Sequence, residues 1–213
     1  MENHLYAIHA DILTDTELFR QWYKKMPESR RQKIDNFKFD KDKRLSLGAG
    51  ILLYNGLCRY GAETTEPEYT EHGKPYIKGY PGIYFNISHS GNIAVCAFSD
   101  KEVGVDTEKT KHFSEALIDH VFLPQEKNHI RPEFSDKDCT LMWTIKESIM
   151  KYLGTGIGLG ARSIALDLNA PVSAVCDSHD ITGLHFTTFE ADEHMLTVCS
   201  PYPNFVHEID WFK

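Results

Sequence analysis

The sequence has no apolar run approaching the ~18 residues a membrane-crossing helix needs, so no membrane segment is expected. Its cysteines, Cys58, Cys96, Cys139, Cys176 and Cys199, are five in number, far apart, and form no C-x-x-C pair. That excludes a disulfide framework or a cysteine-built zinc site and reads as reduced thiols. Eleven histidines give no H-E-x-x-H and none at ligand spacing from a cysteine, which argues against a transition-metal site. No G-x-x-x-x-G-K-[ST] is present, so a P-loop nucleotide hydrolase is not expected. The opening MENHLYAIHADILTD lacks a basic region followed by an apolar one, so no signal peptide is expected and the expected location is the cytoplasm. A net charge of −8 argues against general nucleic-acid binding.

What is present is an ordinary globular composition, 41% hydrophobic and 25% charged over 213 residues. The charge is uneven. Between Lys24 and Arg44 nine basic residues face only four acids, Glu28, Asp35, Asp40 and Asp42. A cationic segment in an acidic chain points to a local anion site, or to a plain solvated helix face.

The periodicity gives a helix over about 15–26, with Thr14 and Glu17 at capping-box spacing, and a short helix near 29–37. A longer helix starts at an Asp40 cap, presents Leu45, Gly48, Ile51, Leu52 and Leu57, and stops at Gly61. Then IYFNIS (83–88), IAVCAFS (93–99) and EVGVDTE (102–108) read as successive antiparallel strands. An Asp136-capped helix follows with Leu141, Ile145, Ile149 and Leu153 toward a core, and strands return at 163–168, 184–190 and 195–200. Helices then strands, twice over, is an α+β fold of two halves, 1–100 and 101–213. No linker rich in Pro, Gly or Ser separates them, so they are expected to pack closely around a cleft.

Four stretches carry candidate chemistry. In GVDTE, strand alternation puts Asp106 and Glu108 on one face and Val103 and Val105 on the other. Two adjacent carboxylates repel unless a cation lies between them, and oxygen ligands suit Mg²⁺; a wet strand face with Lys109 as counter-charge is the plain alternative. In WTIKESIMKYLGTGIG, Glu147 and Lys151 are four apart and share a helix face one turn beyond Trp143, with Lys146 off to the side. Glu147 would complete a three-carboxylate site and Lys151 would reach a bound phosphate; an ordinary surface ion pair is the competing reading. In NISHSG, Ser88 and His89 end a strand and suit phosphate binding. Neighbours on a strand point apart, so they do not make a nucleophile–base pair. Gly73-Lys74-Pro75 reads as a turn presenting one lysine.

In order, GKP (73–75), FNISHSG (85–91), GVDTE (104–108) and WTIKES…K…G.G (143–156) resemble the 4′-phosphopantetheinyl transferases, of the larger two-lobed kind that activates surfactin-type synthetases. The motif-bearing span runs from about 30 to 158. The resemblance implies two similar, pseudo-twofold-related lobes, each a small antiparallel sheet packed with a long helix. The 1–100 lobe would contact the coenzyme A 3′-phosphate, and the 101–213 lobe would hold the metal and catalytic residues. It also implies transfer of 4′-phosphopantetheine from coenzyme A to a serine of an apo acyl, peptidyl or aryl carrier protein, releasing adenosine 3′,5′-bisphosphate. Mg²⁺, with Mn²⁺ as a substitute, would sit on Asp106, Glu108 and Glu147. Glu147 would also act as general base, and Lys151 would stabilise the pyrophosphate. Arg44, Lys74, Pro75, Ser88 and His89 occupy the family's coenzyme A positions. Two further basic residues map to Arg30 and Lys33 when counted back from Phe37, but to Ser29 and Gln32 when counted forward from Pro27; Arg31 is a third choice. The chain reads GVDTE for the usual GVDIE and KES for KEA, so no charged group is lost, while identical packing near the metal is not implied. Carrier contacts are expected beside the cleft within 111–130, and a monomer is expected. The residues alone also leave open another Mg²⁺-dependent phosphoryl transferase, or a non-catalytic module that binds coenzyme A or a carrier.

Overall fold

A computed structural model describes residues 2–127, 135–169 and 171–213. The first half begins with β1 (His4–His9) and three helices, α1 (Thr16–Lys25), α2 (Glu28–Asp35) and α3 (Asp40–Arg59). It continues through a two-stranded ribbon, β2 (Glu68–Tyr69) and β3 (Pro75–Tyr76), into the hairpin β4 (Tyr84–Ser90) and β5 (Ile93–Ser99). The second half comprises β6 (Gly104–Lys109), α4 (Glu115–Val121), α5 (Pro124–Lys127) and α6 (Asp136–Leu153), then β7 (Ile164–Asp167), β8 (Ser173–Cys176), β9 (His185–Ala191), β10 (His194–Ser200) and β11 (Asp210–Trp211).

The fold is α+β, with small sheets between helices, as the alternation of periodicities implies. β11, β1, β5 and β4 form one sheet in that order, and β6, β10 and β9 form another. Several details differ from the sequence reading, which placed no strand at β1, β8 or β11. β6 does not pair with β5 but joins β10 antiparallel, so the second sheet starts at Gly104. Val103 and Val105 meet Ile93, Val95 and Ala97 across a shared core instead of alongside them. The helix caps also shift. Asp15 Oδ1, not Thr14, accepts from Glu17 N and Leu18 N at 2.8 and 3.1 Å, and Ser135 caps α6, leaving Asp136 in its first turn. Phe39 precedes α3, so Asp40 lies inside the helix.

Three apolar cores hold the molecule. One packs α3 on β5 and β4, one packs α6 on β10, β7 and α4, and one lies between the two sheets. Each fully buried aliphatic side chain there contributes about 1.5–3 kcal/mol before chain entropy is counted. In α3 every residue from Leu45 to Leu53 is buried, because the helix is covered by other elements along its middle. No described helix is long and apolar enough to cross a membrane.

Gly104 fixes how close β6 comes to α6. A Cβ there would stand 2.0 Å from Ser148 O and 2.5 Å from the backbone N of Tyr152. Only a residue without a side chain lets the strand carrying Asp106 and Glu108 lie on the helix carrying Glu147 and Lys151.

Candidate active site

Strands β4 and β6 are edges of different sheets, and side chains stitch them together. Asn86, Ser88 and Ser90 are two residues apart and so leave β4 on one face. Asn86 Oδ1 accepts from Val105 N at 2.9 Å, Ser88 Oγ donates to Asp106 Oδ1 at 2.8 Å, and Ser90 Oγ donates to Glu108 Oε2 at 2.9 Å. Lys109 N donates back to Ser90 Oγ at 3.1 Å. The motif FNISHSG thus grips the motif GVDTE one polar residue at a time. Asn86 escaped the sequence reading; the signal was the period-two polar series it begins.

Lys151 comes to the same point from α6. Its ammonium donates to Ser88 Oγ and to Asp106 Oδ1, both at 2.7 Å. Asp106 is buried, and its second oxygen, Oδ2, has no hydrogen-bond partner among the described residues. Burial pushes the Asp106 carboxyl above its usual pKa, with Lys151 and Ser88 opposing the shift. Glu147 is raised as well, first by burial and then by the charge of Asp106, with Glu108 adding to it. Glu108 is half-buried, beside Ser90 and Lys111. So the three carboxylates lie near enough to repel one another, although no group of three or more His, Cys, Asp or Glu among the described residues is gathered as a metal cluster.

Next to this centre opens a cavity of 290 Å³. Arg30, Lys33 and Lys151 supply its cations, His89 an imidazole beside them, and Ser88 its hydroxyl. Ala49, Leu53, Ile87, Pro67, Tyr69 and Pro75 supply apolar wall. Ser29, Arg31 and Gln32 do not line it, so the register counted back from Phe37 is the one that reaches the cavity. Desolvation lowers the pKa of Arg30 and of Lys33, and Arg30 lowers Lys33 further. His89 is also lowered, by desolvation and then by Lys151, Lys33 and Arg30, although the residue as a whole is exposed. Clustered, partly dehydrated cations of this kind favour a multiply charged anion.

Two expected coenzyme A residues, Arg44 and Lys74, do not line this cavity. Arg44 lines a separate hollow with Arg20, Asp40 and Lys43. Lys74 lines a neighbouring hollow with Glu102. Lys146, expected off to the side, is fully buried and paired with buried Glu126 at 2.8 Å. It also donates to Val121 O, Ala161 O and Ile164 O, so it joins α6 to α4 and β7.

Residues 14–101 match the family profile described as "4′-phosphopantetheinyl transferase, N-terminal", and residues 102–199 match that of the "4′-phosphopantetheinyl transferase superfamily". The chain is 31% identical to a 4′-phosphopantetheinyl transferase of Bacillus subtilis, over 85% of this chain and 84% of that protein. The chain belongs to the 4′-phosphopantetheinyl transferase family. Among other transferases of the family, it is 28% identical to 4′-phosphopantetheinyl transferase Sfp of Bacillus subtilis (strain 168), over 96% of this chain and 95% of that one. It is 31% identical to 4′-phosphopantetheinyl transferase HetI of Nostoc sp., over 73% and 65%. Similarity is thus shared among differently named transferases, and the surfactin-activating kind is not singled out.

The boundary between the two matched segments falls at residues 101 and 102, between β5 and β6. In this transferase the cavity residues Arg30, Lys33 and His89 lie before that boundary, and Asp106, Glu108, Glu147 and Lys151 lie after it. The stretch 111–130, expected to meet a carrier, contains α4 and α5; residues 128–130 lie outside the described residues.

Proposed function

We propose that the chain transfers the 4′-phosphopantetheine of coenzyme A to a serine hydroxyl of an apo carrier protein and releases adenosine 3′,5′-bisphosphate. The observation that carries this reading is the single site itself: a cationic cavity whose Ser88 and Lys151 also hold Asp106, beside the two further carboxylates that repel it. Arg30, Lys33 and His89 take the 3′-phosphate, Ser88 lines the same cavity with its proton on Asp106, and Pro75 packs beside the nucleotide. Residues 1–100 supply these contacts and 101–213 the reacting groups.

The orphaned Asp106 Oδ2 and an all-oxygen donor set fit a hard divalent ion, Mg²⁺ or Mn²⁺, held by Asp106, Glu108 and Glu147. Such an ion, when bound, offsets charge on the pyrophosphate oxygens. The serine oxygen forms a bond to the phosphorus next to the pantetheine, and the bond from that phosphorus to the bridging oxygen breaks. Glu147, whose carboxyl is held above its usual range in the free protein by burial and by the charge of Asp106, takes the serine proton. Lys151 moves its charge onto the departing phosphate from its place on Asp106. One chain supplies both sides of the cavity, which supports action as a monomer.

Glu147→Gln should lower kcat by about 10²–10⁴-fold, the contribution of a positioned general base. Affinity for coenzyme A, read by calorimetry without metal, should stay within about twofold, because Glu147 does not line the cavity. An unchanged kcat would remove Glu147 from the mechanism.

A further inference from the structure

Lys74 belongs to the motif GKP, yet its side chain turns away from the cavity that the neighbouring residues line. The turn between β2 and β3 is tightly closed. Thr70 N donates to Lys74 O at 2.9 Å, Gly73 N to Thr70 O at 2.9 Å, and Lys74 N to Thr70 Oγ1 at 3.0 Å. This closure sets Tyr69, Gly73 and Pro75 along one wall of the cavity. The Lys74 ammonium instead donates to Tyr152 O at 2.7 Å and pairs with Glu102, and its side chain is only 13% exposed.

Tyr152 lies in the last turn of α6, where carbonyls have no partner within the helix and where positive charge is favourable. The residue before it is Lys151, which lines the cavity and holds Asp106. The helix end is shaped to receive the lysine stem. Gly154 has φ +70°, and a Cβ there would stand 3.2 Å from Lys74 Cδ. Charge distribution agrees. Lys74 already has Glu102 as counter-ion, whereas neither Arg30 nor Lys33 is paired with a carboxylate among the described residues.

We propose that Lys74 is a positioning residue: it ties the β2–β3 turn to the C-terminal end of α6, setting the width of the cavity, and does not bind the 3′-phosphate. The inference rests on the reading that the cavity takes coenzyme A. Glu102 is its counterpart, holding the ammonium on Tyr152 O.

The test compares coenzyme A with 3′-dephospho-coenzyme A as substrates for wild type, Lys74→Met, Glu102→Gln and Arg30→Gln. Lys74→Met should raise KM about tenfold for both substrates alike, the scale of one charge-assisted hydrogen bond. Loss of folded molecules would lower kcat and leave KM in place. Glu102→Gln, the milder change, should raise KM for both in the same direction. Arg30→Gln should raise KM for coenzyme A alone and so shrink the preference over the dephospho form. The inference is overturned if the Lys74→Met loss is confined to coenzyme A, if Glu102→Gln selectively improves coenzyme A, or if neither variant changes KM. A wild type that binds no coenzyme A overturns the reading of the cavity, and this inference with it.

Discussion

At the scale of single residues, the site is built from polar groups that each do one thing. Ser88 accepts from Lys151 and donates to Asp106, so its hydroxyl is used in both directions. That leaves Asp106 Oδ2 as a buried oxygen without a partner among the described residues, a costly arrangement unless a ligand uses it. His89 occupies the opposite side of β4 and has a lowered pKa in the free protein. A phosphate beside it favours the imidazolium, so binding takes up a proton there. Its contribution to affinity is therefore full below the free-state pKa and fades as pH rises through the pKa of the complex. Calorimetry across pH should show wild type losing this increment between mildly acidic and neutral pH relative to His89→Gln. Parallel wild-type and variant profiles would show that His89 does not meet the phosphate. The residue types of this site were readable in the sequence, because alternation on a strand and spacing on a helix assign faces. Arg44 and Lys74 show where that stops. Motif position places a residue in a neighbourhood, while the direction of a long flexible side chain depends on partners such as Glu102 that no local pattern reveals.

At the scale of elements, the decisive contact is β6 on α6. Gly104 allows it, and Gly104→Ala would force a methyl into the backbone of Ser148 and Tyr152. The expected cost is on the order of 3 kcal/mol or more, the upper range for overpacking, read as a lowered denaturant midpoint. A midpoint within error of wild type would mean that the strand and helix are not held together as described. Helix α6 also shows why its burial was only half legible. Leu141, Ile145, Ile149 and Leu153 mark one apolar face, but Thr140, Thr144, Lys146 and Ser148 are buried too. Thr144 Oγ1 meets Thr197 Oγ1 at 2.8 Å, and Lys146 meets Glu126, so polar residues are hidden by being paired. A buried charge pair looks like a surface pair until its partner, twenty residues away, is placed.

At the scale of the molecule, two halves are joined by a third core. Leu5, Val95 and Ala97 of the first sheet meet Val105, Leu196 and Val198 of the second. β11 returns from the end of the chain to pair with β1, so the last residues complete the first sheet. The longer helices and most of the longer strands were legible from periodicity, but β1, β8 and β11 were not; nor was the pairing of β6 with β10, because these strands lie about ninety residues apart and nothing local favours that partner over adjacent β5. The join between the halves is what brings the cations of residues 30–89 to the carboxylates of 106–147. The measurement that tests this account most directly is the intact mass of a panel of apo carrier proteins after incubation with the chain, coenzyme A and Mg²⁺. The account predicts a gain of one phosphopantetheine on at least one carrier, abolished by EDTA and reduced by Glu147→Gln. No gain on any carrier, from protein that binds coenzyme A, would contradict it.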